Sequence, residues 1–400
     1  MSEKPIKKDE EVESESESEE EKEEEEVTDL SNSDVATKYR EAAKICNLAL
    51  QGVIQQCVAG ARIIDVCKFG DSVVEQSCAQ VFRSKSVEKG IAFPTCVSVN
   101  ECVCHNSPLE SEEQPPLENG DMVKVDVGCH IDGYIAVTAH TFVVGADPAT
   151  PIEGPQADVV KAAYLGAQAA LKTLRPGNTN KMVTEAIARV AESFGVKAVS
   201  GTLMHQMKRY VIDGNKVILL REEPGMEQRV EDCTFEPFEV YSVDVAMSSG
   251  EGKPRETDTR TTVFKRAVDQ QYRLKMRASR YLFNEVNARF PTMPFSLRAL
   301  EDERQARMGV VECLKHELLH PYPVLYERAG DHVAHFKLTV LLLQSGTVAV
   351  TGMPLPEGLY NSDKAVDEQT AALLATSNKK KKRNKKKKAA GGEGDEKEEA

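Results

Sequence analysis

The pattern of apolar and polar positions predicts alternating blocks of helices and strands. From Asp34 onward apolar side chains return every three or four positions, with Ser33 or Asp34 as the N-cap, which is typical of an amphipathic helix. The same period predicts helices at 34–58, 64–82, 156–173 and 180–194, and a longer helical stretch at 270–320 that Pro291 and Pro294 interrupt.

Other segments alternate with a period of two, which is typical of half-buried strands. In the segment MVKVDVG three valines share one face, and Lys124 and Asp126 share the other. Asp132-Gly133 is a hairpin signal. Strands are predicted at 96–103, 122–128, 134–144, 197–213, 217–220, 238–247 and 259–265, and in a final hairpin at 334–351. The order of elements predicts an α+β body, built from two similar halves of a helix pair plus a sheet.

The net charge of −13 is unevenly distributed along the 400 residues. Residues 1–30 hold fifteen acidic and four basic side chains, whereas residues 377–400 have a balance of +5, which leaves about −7 for the body. Both ends are of low complexity and lack apolar periodicity. We therefore expect an acidic disordered head at 1–33 and a lysine-rich disordered tail at 363–400.

Composition excludes several classes of protein. No apolar run approaches the ~18–20 residues of a membrane-spanning helix, and the N-terminus lacks the apolar core of a secretory signal, so we expect no membrane insertion. The ten cysteines are scattered and mostly lie in apolar segments, which favours reduced thiols in an intracellular protein. Cys102 and Cys104 lack a second pair at the spacing of a zinc site.

The charged ends carry two candidate functional segments. The block KKKKRNKKKK suits either a phosphate backbone or a nuclear or nucleolar localisation signal, and a plain solubilising tail is the alternative. In the head, Ser14, Ser16 and Ser18 lie in the acidic setting that acidophilic kinases favour, and a plain solvating segment is at least as good an interpretation. The RNA-binding residues expected in the tail are Lys379, Lys380, Lys381, Lys382, Arg383, Lys385, Lys386, Lys387 and Lys388.

Two short motifs resemble catalytic sites but lack parts of them. HELLH at 316–320 has the pattern of zinc peptidases. Pro321 follows at once, so we expect the helix to end at the second histidine and favour an ordinary helix end. SSGEGK at 248–253 lacks the first glycine of a phosphate-binding loop, because Met247 stands there.

Several segments, taken in order, resemble the methionine aminopeptidase superfamily. They are VNECVCHNSP (99–108), VKVDVGCHIDGYIAVTAHTFVVG (123–145), MHQMKRYVID (204–213), YSVDVAMSSGEG (241–252) and AHFKLTVLL (334–342). The resemblance covers about 34–362. It implies a pita-bread domain over that range, with the helical insertion of the type II branch at about 268–320.

Members of this superfamily hold two metal ions with five side chains, and the resemblance implies that two of these are lost here. The remnants are Asp126, His205 and Asp244, while Val137 and Lys337 replace the second Asp and the last Glu. A like charge at ~4 Å costs on the order of 4 kcal/mol per unit charge at an effective dielectric of ~20. We therefore expect no metal, no cofactor and no catalytic residue, and we expect Lys337 to pair with both remaining Asp side chains.

The resemblance also covers the substrate pocket. His105 matches the substrate-contacting histidine of the superfamily. The second catalytic histidine is replaced by a residue within 211–213.

A narrower resemblance is carried by GIAFPTCVSVN, ADVVKAAYLGAQAAL, PGNTN, LKMRASR, MPFSLRALEDERQARMGVVECLKHELL and the lysine-rich end. These segments resemble the proliferation-associated, ErbB-receptor-binding protein family, a branch without peptidase activity. The resemblance implies binding to structured RNA, to rRNA and to the large ribosomal subunit near the nascent-chain exit. It also implies roles in growth, translation and ribosome biogenesis, and a location in cytoplasm, nucleus and nucleolus.

Local basic patches must attract RNA, since the body as a whole is acidic. The candidates in the insertion are Arg273, Lys275, Arg277 and Arg280, with a solvated helix face as the alternative. Two other functions stay open. One is a protein–protein adaptor and transcriptional co-regulator in growth-factor signalling, with receptor tails and transcription regulators as partners. The other is a surviving metal-dependent aminopeptidase. In each case we expect a monomer.

Overall fold

The computed structural model of the chain describes residues 27–84, 86–222 and 230–378. The α-helices of these residues are α1 (Ser33–Gln56), α2 (Ile63–Gln80), α3 (Gly154–Thr173), α4 (Asn180–Phe194), α5 (Arg277–Arg289), α6 (Glu303–Lys315) and α7 (Glu368–Leu374). The strands are β1 (Lys89–Val99), β2 (Cys102–Cys104), β3 (Met122–Ile131), β4 (Tyr134–Val143), β5 (Lys197–Ala198), β6 (Leu203–Met207), β7 (Val217–Leu219), β8 (Val240–Ser248), β9 (Arg255–Glu256), β10 (Val263–Arg266), β11 (Phe295–Ser296), β12 (Leu319–Tyr322), β13 (Leu325–Tyr326), β14 (Val333–Leu343) and β15 (Gly346–Ala349).

A nine-stranded sheet forms the centre of the described structure. Its strands lie in the order β1-β3-β4-β14-β8-β6-β7, with β15 beside β14 and β5 beside β8. β14 pairs antiparallel with both β4 and β8, so it joins two halves that are far apart in sequence.

Each half of the sheet carries one pair of helices. α1 and α2 pack on β1, β3 and β4, whereas α3 packs on β8 and β14 and α4 packs on α3, β5 and β7. The three valines of β3, Val123, Val125 and Val127, are buried in the core beneath α1 and α2. The predicted α+β class is therefore confirmed, as is the division into two halves of a helix pair plus a sheet.

The helical insertion is a small layer with a core of its own. β10 and β12 pair antiparallel and close it, and α5 packs against α6 over Leu282, Val286 and Cys313. The helical stretch predicted at 270–320 is interrupted after α5, as Pro291 and Pro294 indicate, since residues 290–302 hold β11 and a short 3₁₀ turn. The strand predicted at 197–213 is only β5 and β6.

The HELLH motif does not lie on a helix. α6 ends at Lys315, before either histidine, and Glu317 adopts a left-handed φ of 55° that no helix continues. The ring of His316 stacks on Tyr272 with centroids 3.5 Å apart, whereas His320 lies in β12. The expectation that the helix ends at the second histidine is corrected, and the two imidazoles share no helix face.

The boundaries of the terminal segments also differ from the prediction. Residues 363–378, assigned by sequence to a disordered tail, include α7, which is capped by Asp367 and packs on α3 and α4. In the head, Leu30 is buried, because it joins the core beside α1. The predicted phosphorylation sites Ser14, Ser16 and Ser18 and the basic block 379–388 lie outside the described residues.

Two further expectations concern membranes and disulfides. None of the helices in the described ranges has the length and apolarity needed to cross a bilayer. All ten cysteines are free thiols, and eight of them are buried.

Gly309 sets how closely α5 and α6 approach. A Cβ at this position would lie 2.6 Å from the carbonyl oxygen of Ala278 and 2.9 Å from Cβ of Leu282. Gly309→Ala should therefore lower the free energy of unfolding by about 1–3 kcal/mol, measured by denaturant titration. Met308 is 48% exposed, so Met308→Ala is the control and should change it by less than about 0.5 kcal/mol. Equal effects of the two substitutions would contradict this packing.

Candidate functional site

The register of the sheet brings the residues of the site into one row. Asp126 on β3 pairs with Ala139 on β4, which pairs with Lys337 on β14, which in turn pairs with Asp244 on β8. Partners in register point to the same face of a sheet. The valines that alternate with Asp126 point to the opposite face, under α1 and α2. Because side chains alternate between the two faces of a strand, the two carboxylates and the ammonium lie on the face opposite the core that packs on the helices.

Lys337 forms ion pairs with both carboxylates of the row. Its Nζ lies 2.5 Å from Oδ2 of Asp126 and 3.1 Å from Oδ2 of Asp244. It also lies 5.3 Å from the ring centroid of Phe93, within the range of a cation–π contact. The side chain of Lys337 is only 10% exposed. The pairing predicted from sequence is present, and it bridges the two halves of the sheet.

The charges in this row stabilise one another. Burial by itself lowers the pKa of Lys337, but Asp126 and Asp244 outweigh it and hold that pKa well above its usual range. Burial raises the pKa of Asp244, but Lys337 and His335 outweigh it and hold that pKa well below its usual range. Lys337 and Asp244 are therefore both charged at neutral pH.

His335 completes the group and was missed by sequence reasoning. It lies two positions before Lys337 on β14, and its Nε2 is 2.5 Å from Oδ1 of Asp244, to which it donates. Alternation along the strand, which places residues i and i+2 on one face, is the signal that would have found it.

Val137 faces the same site two positions before Ala139. It is 3% exposed, and its backbone amide donates to the hydroxyl of Thr339 at 2.8 Å. Its side chain offers only methyl groups, which cannot bind a metal ion. The position at which the sequence resemblance implies a lost ligand is therefore an apolar part of the cavity wall.

The two remaining histidines line the same cavity. Nδ1 of His205 faces the carbonyl oxygen of Gly214 at 3.4 Å. Nδ1 of His105 donates to the carbonyl oxygen of Pro323 at 3.0 Å, and burial together with Lys337 lowers the pKa of His105 to about 4. His105 is therefore neutral at physiological pH. From the segment 211–213, Ile212 and Asp213 reach the wall of the cavity.

The cavity has a volume of about 340 Å³ and is mostly apolar. Its polar side includes Asp244, Lys337 and the histidines His105, His205 and His335. Its other walls are formed by Phe93, Val103, Val137, Leu203, Ile212, Tyr322 and Leu325.

The side chains present do not fit a dinuclear metal centre. In the ranges 27–84, 86–222 and 230–378, no three side chains of His, Cys, Asp or Glu lie together as metal ligands. Asp126 directs Oδ2 at an ammonium, and its buried Oδ1 finds no hydrogen-bond partner in the structure. A divalent cation beside Lys337 would face a like charge in a buried site. No hydrolytic step can be derived from this site.

The insertion places its predicted RNA-binding residues on the surface. Arg273, Lys275, Arg277 and Arg280 are all exposed. Glu312 on α6 accepts hydrogen bonds from the backbone amides of Lys275 and Met276, which fixes this segment against α6. The guanidinium of Arg280 donates to the carbonyl oxygens of Leu274 and Lys275. The four cations therefore share one end of the insertion, far along the chain from the cavity residues.

Comparison with known proteins identifies the family. The model of metallopeptidase family M24 matches residues 37–253. ErbB-3 binding protein 1 of Solanum tuberosum is 50% identical over 332 residues, which cover 82% of this chain and 84% of that protein. The chain belongs to metallopeptidase family M24, in the group that includes the proteins named ErbB-3 binding protein 1.

Other relatives of this M24 member extend the likeness. The curved DNA-binding protein of Schizosaccharomyces pombe is 39% identical over 342 residues, 85% of this chain and 89% of that protein. The solved structure of a thermophilic Arx1 superposes with a TM-score of 0.82 at 30% identity, covering 87% of this chain and 100% of that one. The pita-bread fold implied by the sequence resemblance is therefore confirmed.

Lys337→Met tests the charge balance of the row. It leaves two buried carboxylates facing each other, so it should lower the free energy of unfolding at pH 7 by about 3–5 kcal/mol, measured by denaturant titration. The exposed pair of Lys181 and Asp232 provides the control, and Lys181→Met should cost less than about 1 kcal/mol. An unchanged stability of Lys337→Met would contradict the account.

The pH dependence of the same variant has a definite sign. In the native protein the pKa of Asp244 is depressed, so its contribution is present above the unfolded pKa of about 4 and is lost only as pH falls through the folded pKa. In Lys337→Met the buried carboxylates take up protons readily. The difference in free energy of unfolding between the parent protein and the variant should therefore become smaller between pH 7 and about pH 5. A constant difference over that range would show that lost packing, and not charge, causes it.

Proposed function

We propose that this M24 member is a binding protein without peptidase activity, which binds structured RNA and the large ribosomal subunit. The observation that carries the proposal is the ammonium of Lys337, held between the two carboxylates that remain of the metal site. Hydrolysis by two metals requires ions that activate a water and polarise the scissile carbonyl. Val137 and Lys337 oppose both ions.

The exposed cations support RNA as the partner. Arg273, Lys275 and Arg277 have no carboxylate partner within the part of the chain that the structure describes, so their charge is available to phosphates. Tyr272 lies next to these cations in sequence, and its ring stacks on that of His316, which follows the last residue of α6. The sequence adds nine cations at 379–388, and one relative is named a curved DNA-binding protein.

The ribosomal part of the proposal follows from the resemblance to the ErbB-receptor-binding family. That resemblance implies docking on the large subunit and on rRNA, with a role in growth, translation and ribosome biogenesis. We extend it to a location in the cytoplasm, nucleus and nucleolus, for which the basic block at 379–388 is a suitable targeting segment.

A second candidate function is a protein–protein adaptor in growth-factor signalling and transcription. The name of a close relative, ErbB-3 binding protein 1, favours it. So does an exposed stripe on α6, where Met308 and Val311 are 48% and 67% exposed between Arg304 and Lys315. Apolar residues of this size on a surface mark contact sites between proteins when they lie together.

Sucrose-gradient sedimentation with ribosomes at two salt concentrations separates these functions. The protein should travel with the large subunit at about 50 mM salt and leave it at about 300 mM, because the contacts are to phosphates. A triple variant, Arg273→Gln, Lys275→Gln and Arg277→Gln, should reduce the bound fraction and lower the slope of log K against log salt by about 2.

The control removes the same charge elsewhere. Lys44, Lys68 and Lys181 are exposed and already pair with acidic side chains, so their replacement by Gln should leave sedimentation close to that of the parent protein. A chain that stays out of the large-subunit fractions even at low salt would act as an adaptor instead.

Metal analysis and peptide turnover test the loss of peptidase activity. After dialysis against Co²⁺ or Mn²⁺ we expect less than about 0.1 metal ion per chain, since Lys337 repels the ion. No methionine should be released from a short peptide, with an active methionine aminopeptidase as the positive control. Stoichiometric metal together with turnover would overturn the proposal.

A further inference from the structure

One end of the insertion carries cations that have no anionic partner. The set comprises Arg273, Lys275, Arg277, Arg280 and Lys315, all exposed, and is called the basic end of the insertion below. None of the five forms an ion pair within the described chain, and their only exposed acidic neighbours in sequence are Asp269 and Glu317.

At the opposite end of α5 and α6, two arginines pair with carboxylates. There Arg289 pairs with Glu285 at 3.8 Å and Arg307 pairs with Glu303 at 3.6 Å. Some exposed cations elsewhere on the body also pair with carboxylates, as Lys68 does with Glu110, whereas Arg40, Lys197, Lys208 and Arg304 have no ion pair within the described residues. The basic end of the insertion is therefore distinguished by the clustering of five cations that have no ion pair among the described residues.

The acidic head joins the described structure just before α1. Leu30 is 5% exposed and belongs to a buried cluster that also includes residues of α1 and Met293, which follows α5. Val27, three residues earlier, is 50% exposed. Val27 is therefore the exposed point to which the head is attached.

The head is long enough to reach the basic end. α5 has 13 residues and is therefore about 20 Å long, at 1.5 Å per residue. The eighteen residues 9–26 can span up to about 60 Å, more than the radius of gyration of about 20 Å expected for a body of this size. Length therefore permits contact with the whole surface, and charge decides where contact is favourable.

The charge of the head complements the basic end. Residues 9–26 hold thirteen acidic side chains and one lysine. The body as a whole, with its balance of about −7, repels such a segment, whereas the five clustered cations attract it. Tethering keeps the local concentration of the head in the millimolar range, so weak pairwise contacts suffice.

We infer that residues 9–26 dock on the basic end of the insertion and occupy the surface that RNA phosphates would otherwise contact. The docking itself depends only on the charges described. Its effect on RNA binding rests on the function proposed above. Phosphate on Ser14, Ser16 or Ser18 adds about −1.5 to −2 charges each and strengthens the docked state. The head then competes with RNA for this surface, and phosphorylation by a kinase strengthens its docking.

Zero-length carbodiimide cross-linking of the full chain, without RNA, tests the docking. Head carboxylates should couple to Lys275 or Lys315 at about 50 mM salt, and coupling should fall several-fold at about 300 mM. Lys44 and Lys181, exposed but outside the basic end, are the internal controls and should show little coupling to the head. Coupling only to the lysines of 379–388, or spread evenly over the surface, would overturn the inference.

A charge-neutral head tests the competition. With every Asp and Glu of 9–26 changed to Asn or Gln, affinity for a structured RNA should rise about tenfold at 50 mM salt and less than about twofold at 300 mM. In a background carrying Arg273→Gln, Arg277→Gln and Arg280→Gln, the same change should raise affinity less than about twofold. If RNA affinity rises as much in that background, the head repels RNA in general, and the inferred competition for the basic end is wrong.

The two measurements separate the two proposals. Cross-links to the basic end without any RNA affinity would leave the docking intact and refute the proposed function. RNA affinity that does not depend on the head, together with an absence of cross-links, would support the proposed function and refute the docking.

Discussion

The ion pair network around Lys337 is the constraint on which the site depends. A lysine side chain buried at 10% exposure is stable only if its charge is compensated. Asp126 comes from the first half of the sheet and Asp244 from the second, and β14 carries Lys337 between them. The same ammonium that opposes a cation in this site therefore also links the two halves of the sheet at this row.

This arrangement also explains how the M24 fold can be kept with side chains that do not fit a dinuclear metal centre. A dinuclear site pulls carboxylates from several strands together, and removing the ions alone would leave those carboxylates buried and in mutual repulsion. The ammonium of Lys337 takes over that role with two ion pairs, and Val137 fills space without adding charge. The M24 fold thus remains available as a scaffold whose surface, and not its cavity, carries the proposed function.

Sequence patterns predicted most of the elements, because local periodicity determines which face of a helix or strand is apolar. The strands around Asp126 and the helix pairs were found in this way. His335 was missed, and so was α7, which is short and owes its stability to contacts with α3 and α4. The HELLH helix was placed too far along the chain, since tertiary pairing of β12 with β10 overrides the local pattern. The row itself joins residues more than 200 positions apart. No local pattern shows such a register, so the pairing of Lys337 had to come from the family resemblance.

The state of the Lys337 amine is the most direct test of the central claim. In ¹⁵N-lysine-labelled protein, the side-chain NMR signal assigned by its loss in Lys337→Met should be that of a protonated ammonium. It should stay protonated through pH 10.5, the ordinary lysine pKa, because the folded pKa is raised. It should also keep its intensity when stoichiometric Mn²⁺ is added. A neutral amine, or selective loss of this signal at one equivalent of Mn²⁺, would contradict the account.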